Sequence, residues 1–412
     1  MFFWIVLFVF GTYGTFENNL DSSGTIYLIY VFPICILFFS AVILYFLFFK
    51  SRIKIKFPKF IEFQLLFAIC IIIIISTLQI PQYLLTSILT LAATLLIIIT
   101  IFNLPFYKID AKNLFLIFNR TMYFTTILAL IGGLISVFGD TFSIGPIVFY
   151  YEKAYWRMNS WYVTSTGLGL LFVYGIFSSL YFINRTRYFI VKLWFIASIL
   201  ALIFGMTLAG GRTAFICIIF SLMFTFFYKT PLKPIFLFRA FLFLIFVSFV
   251  TIFIFDSYSE EIYLLRRFTD EDATTLGGRS DLFTQFIESA SSLNIIQYIF
   301  GVGINGTREI LKWDRSPHSG FLRILIENGP VAFSLFIILI LVTSISLQKK
   351  VRYSSNFKNE FYILSLYLSN FFLSEIMVIQ LFGISMEYVL FIIVLSFFIL
   401  FKYLDYNDKY IV

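Results

Sequence analysis

Histidine is almost absent from this chain: His318 is the single copy in 412 residues. One histidine cannot complete a zinc set, and any imidazole chemistry must run through it. Cysteine is scarce too. Cys35, Cys70 and Cys217 all sit inside apolar runs without a CxxC partner, so they read as packing residues, not as a disulfide or metal framework. No metal and no cofactor are expected. Charged residues make up only 13% of the chain, against 60% hydrophobic. A soluble protein of this length has no way to hide that much apolar surface. No basic residue precedes the apolar stretch Met1 to Phe10, which argues against a cleaved signal peptide and for a retained first helix. There is no low-complexity linker and no repeat at a period of 20–50 residues. Nor is there a clear inverted repeat between halves, of the kind many secondary transporters carry.

What the chain does have is apolar runs long enough to cross a bilayer, for which a helix needs roughly 20 residues. They fall at 2–16, 25–49, 60–80, 84–102, 114–138, 161–183, 189–209, 212–228, 237–255, 330–347, 361–381 and 387–404. The expected class is therefore an all-α membrane protein of about twelve transmembrane helices. Residues 1–255 hold the first nine spans, 256–329 form one large extracytoplasmic loop containing short helices, and 330–412 hold the last three.

Basic residues orient this arrangement. Lys50 to Lys59, Lys108 and Lys112, Arg185 to Lys192, Lys229 to Arg239, Lys349 to Lys358, and Lys402 with Lys409 fall on every second connection, together with both termini. That side is expected to be cytoplasmic. The net charge of +8 is then mainly a topology signal, and no nucleic acid partner is implied.

The loop at 256–329 belongs to the only long polar segment. In it, Ser316 is a good helix cap and Pro317 a good first helical residue, with Phe321, Leu322, Leu325 and Ile326 following at helical spacing. His318 should then lie in a first helical turn, where the positive helix end favours a neutral imidazole able to accept a proton. The competing reading is a surface histidine without a task. Arg279 follows Gly277 and Gly278 and precedes a second helical pattern, Leu282, Phe283, Phe286, Ile287 and Ala290. A helix N-terminus attracts anions, and arginine adds a planar fork matched to phosphate oxygens. An ordinary solvated arginine beside Asp281 fits that residue equally well. Arg212 follows Gly210 and Gly211 where one span ends and the next begins, on the outer side. A lone arginine there runs against the orientation rule unless it has a use, or unless it is an anchor with a snorkelling stem.

Gly301-Val302-Gly303-Ile304-Asn305-Gly306 matches GxGxxG, but no βαβ unit surrounds it. Gly301 and Gly303 are expected to allow tight turns that bring the chain back towards His318. Asp270-Glu271-Asp272 reads as a solvated acidic loop before a metal site. Glu375, inside the eleventh segment, is costly there unless it faces a cavity or a partner. Arg323 and Glu327 are spaced i, i+4 and should pair. Arg157, between Trp156 and Trp161, suits substrate contact or an interfacial aromatic belt.

Together these features resemble the O-antigen polymerase and O-antigen ligase superfamily of bacterial membrane glycosyltransferases. The resemblance covers roughly 155–347. It rests on the outward Gly-Gly-Arg-Thr-Ala at Arg212, the loop Gly-Arg at Arg279, the Gly-x-Gly at 301–303, and the helix from His318 to Glu-x-Gly at Gly329. The chain departs in lacking a Trp shortly after the loop Gly-Arg, and in having Ser319 after the histidine. The resemblance implies a GT-C-like fold in the bacterial inner membrane. It also implies transfer of a glycan from undecaprenyl diphosphate to a sugar hydroxyl at the outer face, for O-antigen, lipopolysaccharide or capsule. His318 would be the base, Arg212 and Arg279 would bind diphosphate without a metal, and Gly211 and Gly278 would support them. Implied partners are membrane lipid, a chain-length regulator and a flippase. A polymerase is favoured over a ligase, and a lipid-linked sugar flippase is the alternative of another class.

Overall fold

The apolar runs that the structure covers are helices. It is a computed structural model and describes residues 56–103, 110–139, 142–144, 147–152, 157–160, 165–210, 212–229, 287–288, 293–303, 306–311, 320–377 and 386–407. The expected segments at 2–16, 25–49 and 237–255 lie outside the described residues, as does most of 256–292. In chain order the helices are α1 (Ile61–Thr77), α2 (Pro81–Asn103), α3 (Ala111–Phe138), α4 (Ser165–Arg185), α5 (Phe189–Ala209) and α6 (Arg212–Lys229). Then come the short α7 (Ile295–Phe300), α8 (Gly306–Glu309) and α9 (Gly320–Glu327), followed by α10 (Gly329–Tyr353), α11 (Lys358–Met377) and α12 (Met386–Asn407). Among the described residues, five helices are long and apolar enough to cross a membrane: Pro81–Asn103, Ala111–Phe138, Gly167–Arg185, Phe189–Ala209 and Gly329–Tyr353.

Local chemistry sets the helix ends. Pro81 opens α2, where its missing N–H costs nothing. Asp110 caps α3 by accepting from the Lys112 amide at 3.0 Å. Gly210 closes α5 at φ 64°, ψ 24°, a left-handed conformation that glycine adopts without strain. α10 runs past its apolar stretch to Tyr353, with Lys350 and Arg352 in its last turn.

The helices pack as a bundle. α4 lies along α3, α5 and α11; α11 also contacts α6, α10 and α12; α10 contacts α1, and α12 contacts α2. The core is aromatic. Phe115 meets the edges of Tyr181, Phe397 and Phe401 at 5.2–5.5 Å between ring centroids. Some buried hydroxyls form hydrogen bonds between helices, which bind apolar segments together. Tyr367 of α11 lies 2.8 Å from Ser178 Oγ and donates to the Tyr174 carbonyl of α4 at 3.2 Å.

Polar contacts gather the basic connections at one end. Lys402 of α12 reaches the fully buried Glu62 of α1 at 2.6 Å. Lys350 of α10 meets Asp405 at 2.5 Å, and Ser354 donates to the other Asp405 oxygen at 2.7 Å. Arg352 donates to the Tyr228 carbonyl at 2.8 Å, closing α6 onto this end. Asn103, ending α2, exchanges two hydrogen bonds with Lys56. The start of α1 and the ends of α2, α6, α10 and α12 therefore lie together.

One small element adds to the otherwise helical bundle. Strands β1 (Phe142–Ile144), β2 (Ile147–Glu152) and β3 (Arg157–Ser160) form an antiparallel sheet in the order β1-β2-β3. β1 and β2 are rich in β-branched and aromatic residues, and Gly145-Pro146 lies between them in sequence. The sheet sits on α3 because Gly132 and Gly133 have no side chains. A Cβ at Gly132 would lie 2.1 Å from the Phe149 ring, and one at Gly133 would lie 2.5 Å from Met158 Sδ. Ser160 donates to the Ala129 carbonyl of α3 at 2.9 Å.

Candidate active site

The end of the bundle opposite the basic one is assembled around a Gly-x-Gly turn. α7 is a single short helix opened by a capping box between Asn294 and Gln297. It delivers the chain into Gly301-Val302-Gly303, with φ of +82° at Gly301 and +85° at Gly303. Only glycine tolerates these values cheaply. The turn docks on the junction of α9 and α10. The Val302 amide donates to the Ile326 carbonyl at 3.0 Å, and the Gly303 amide to the Glu327 carbonyl at 2.7 Å. A Cβ at Gly301 would lie 2.4 Å from the Glu327 carbonyl, and one at Gly303 would lie 2.8 Å from the Ser76 carbonyl. Close approach on both sides is therefore built into the turn. Val302 is fully buried.

The end of α1 completes this knot. Gln79 donates to the Gly301 carbonyl at 2.7 Å, and Ser76 to Asn328 Oδ1 at 3.2 Å. Nothing local in the sequence points to this partnership. Its one signal is that the apolar run ends in the polar Ser76-Thr77-Leu78-Gln79. Arg323 and Glu327 pair within α9 as their spacing required, with Nε to Oε2 at 2.6 Å and both residues buried. Thr307 of α8 donates to the other Glu327 oxygen at 3.3 Å. Breaking a buried pair of this kind by removing one partner costs about 3–5 kcal/mol. Glu327 thus ties α8 to α9 and holds the last turn of α9 against the Gly-x-Gly turn.

The other candidate residues stand on elements that meet here. α9 begins two residues after His318 in sequence and packs on α10 and α11. Its Phe321 meets Phe336 of α10 edge-on at 5.8 Å, and Phe336 meets Phe372 of α11 at 6.4 Å. Glu375 lies in the last turn of α11, one residue beyond the buried Ser374. Arg212 is the first residue of α6, directly after the turn that closes α5, as the sequence required. α6 runs from there to Tyr228 at the basic end, so Arg212 opens it at the Gly-x-Gly end. Arg157 opens β3 opposite Glu152, on the sheet seated at the far half of α3. Gly211, Gly278, Arg279 and His318 lie outside the described residues, as do Ser316 and Pro317; the described helix starts at Gly320.

Arg212, Glu375, Arg323, Glu327, Gly301 and Gly303 therefore belong to elements gathered at one end, and the lysine-rich connections belong to the other. A helix start carrying an arginine is suited to an anion, because amide dipoles and guanidinium act together. No curated protein and no solved structure matches the chain. Residues 197–337 match the family model described as O-antigen ligase, a stretch running from within α5, through α6 and α7 to α9, into α10. Over residues 197–337, about a third of the chain, this similarity supports the O-antigen polymerase and ligase superfamily.

Proposed function

We propose that the protein is a polysaccharide polymerase of the bacterial inner membrane. It transfers a glycan from undecaprenyl diphosphate to a sugar hydroxyl of another carrier-linked repeat unit, at the outer face. The family match supports polymerase- or ligase-type function, that of a multi-pass membrane glycosyltransferase. The carrying observation is that this match spans the stretch containing Arg212, Arg279 and His318.

In this reading the acceptor hydroxyl oxygen attacks the anomeric carbon. The bond from that carbon to the diphosphate oxygen breaks, and the diphosphate leaves with the electron pair. Its growing negative charge is met by Arg212 and Arg279 at helix starts, where scarce water makes the interaction strong. This scheme asks no metal for charge stabilisation. His318, neutral, takes the hydroxyl proton. The Gly-x-Gly knot fixes the far end of α9, the helix that follows His318, and so acts on the base as a positioning device. All twelve spans are part of this reading, with the termini cytoplasmic and 256–329 outside.

The family description itself favours a second reading, ligation of the glycan to lipid A core. Donor chemistry is the same in both, and only the acceptor differs. A strain deleted for the gene separates them. Surface glycan limited to one repeat unit identifies a polymerase. Full-length chains left on the carrier identify a ligase. Repeat units trapped on the inner leaflet would refute both and identify a flippase.

A further inference from the structure

Away from the candidate active site, at the basic end of the bundle, lies a cavity of about 840 Å³ whose walls include Lys112, Arg185, Arg187, Lys192, Lys358 and Glu360. Five of these side chains are cationic and one is a carboxylate. Three helices also begin on it. Lys112 lies in the first turn of α3, Lys192 in that of α5, and Lys358 is the first residue of α11. Each helix start contributes partial positive charge, which adds to the side chains. Two of the cations are seated by neighbours: Arg185 donates to Tyr181 OH at 2.5 Å, and Lys112 sits over the Phe357 ring at 5.0 Å. An orientation signal needs only lysines and arginines anywhere in the connections. It does not require them to converge with three helix starts on one concavity.

An apolar edge adjoins the cavity. Tyr188, Phe189, Ile190 and Trp194, at the start of α5, are 64–79% exposed. Exposed Tyr and Trp beside basic residues are what a membrane–water boundary selects. The geometry points to a binding site for the phosphate group of an anionic glycerophospholipid: its headgroup occupies the cavity and its acyl chains lie along the exposed face of α5. The site belongs to the leaflet opposite the one that presents the glycan donor, so its occupant is not the substrate.

The test uses the purified full chain in detergent, with bound lipid counted by native mass spectrometry. Phosphatidylglycerol should be retained in preference to phosphatidylcholine. Arg187→Gln combined with Lys192→Gln should lower that retention on the order of tenfold or more, since each basic residue near an anionic surface contributes appreciably. Lys59→Gln with Lys349→Gln removes the same charge from exposed positions that do not line the cavity, and should leave retention unchanged. Arg187→Lys, which keeps the point charge, should retain the lipid and serves as the folded control. A competition arm with inorganic phosphate identifies the source. Displacement of the lipid only far above its own concentration supports a lipid site. Displacement at equal concentration supports a site for soluble phosphate and overturns the lipid assignment. Equal retention of both lipids, or equal loss in both double variants, would overturn the proposal altogether.

Discussion

Replacing Gly301 by alanine tests whether the turn at 301–303 holds α9 in place. At Gly301 the backbone has φ 82° and ψ 179°, a region essentially reserved for glycine, so a side chain there costs about 1–3 kcal/mol. The new Cβ would also lie 2.4 Å from the carbonyl carbon and oxygen of Glu327. Those are backbone atoms with no rotamer to escape into, and forced overlap adds about 1–3 kcal/mol. The alternative is to undock the turn. That gives up the Val302 and Gly303 amide bonds, about 1 kcal/mol net each, and exposes buried Val302 at about 1.5–3 kcal/mol. The two routes cost similar amounts, so the docked turn should lose about 3 kcal/mol. The assay is hydrogen exchange of the Val302 and Gly303 amides, which reads local opening directly. Their exchange should accelerate roughly a hundredfold, about two factors of ten at 1.4 kcal/mol each. Glu309→Ala, an exposed change in the adjoining α8, should alter nothing. Glycan assembly should fall in Gly301→Ala alone. Wild-type exchange together with wild-type glycan length in Gly301→Ala would refute the positioning role of the turn.

The remaining expectations concern the chemistry and the orientation. Purified, folded His318→Ala should lose transfer by on the order of 10²–10⁴-fold while still binding the lipid-linked donor, and wild-type activity should fall on acidification as the imidazole takes up a proton; near-wild-type turnover would remove His318 as the base. Arg212→Lys and Arg279→Lys should both impair transfer, because a point charge lacks the bidentate fork, and the alanine variants should weaken donor binding; normal glycan from both alanine variants would make these residues anchors only. Cysteine labelling in intact cells should reach Ser292→Cys and not Ser355→Cys. Ser355 is the better inner probe because neighbouring Ser354 is buried and hydrogen-bonded to Asp405; labelling of Ser355→Cys from outside would overturn the orientation.

The helices were legible because an apolar run of this length has few other ways to satisfy its backbone. Their ends were legible less often. α10 extends six residues beyond the expected 347, since hydropathy stops at Lys349 and Lys350 while the helix does not. The sheet at 142–160 escaped because strands of three to six residues in a mixed polar stretch carry almost no period-2 signal. At the candidate site, the pairing of Arg323 with Glu327 and the tight turn at Gly301 and Gly303 were readable, because both are local rules of spacing and backbone conformation. The seat of that turn was not. Gln79 meets Gly301 across 222 residues of chain, and Ser76 meets Asn328 across 252, distances at which a single sequence has no pattern to offer.

The buried pair between Glu62 and Lys402 sets a clock on assembly. Its members are 340 residues apart, one opening α1 and the other near the end of α12. At a synthesis rate of about 5–20 residues per second, roughly 17 to 68 s separate the emergence of the carboxylate from that of its ammonium. During that interval α1 exists without the contact that closes the finished bundle around it. A ribosome stalled before α12 leaves a chain whose earlier helices are all present, yet which still carries an uncompensated carboxylate at the foot of α1.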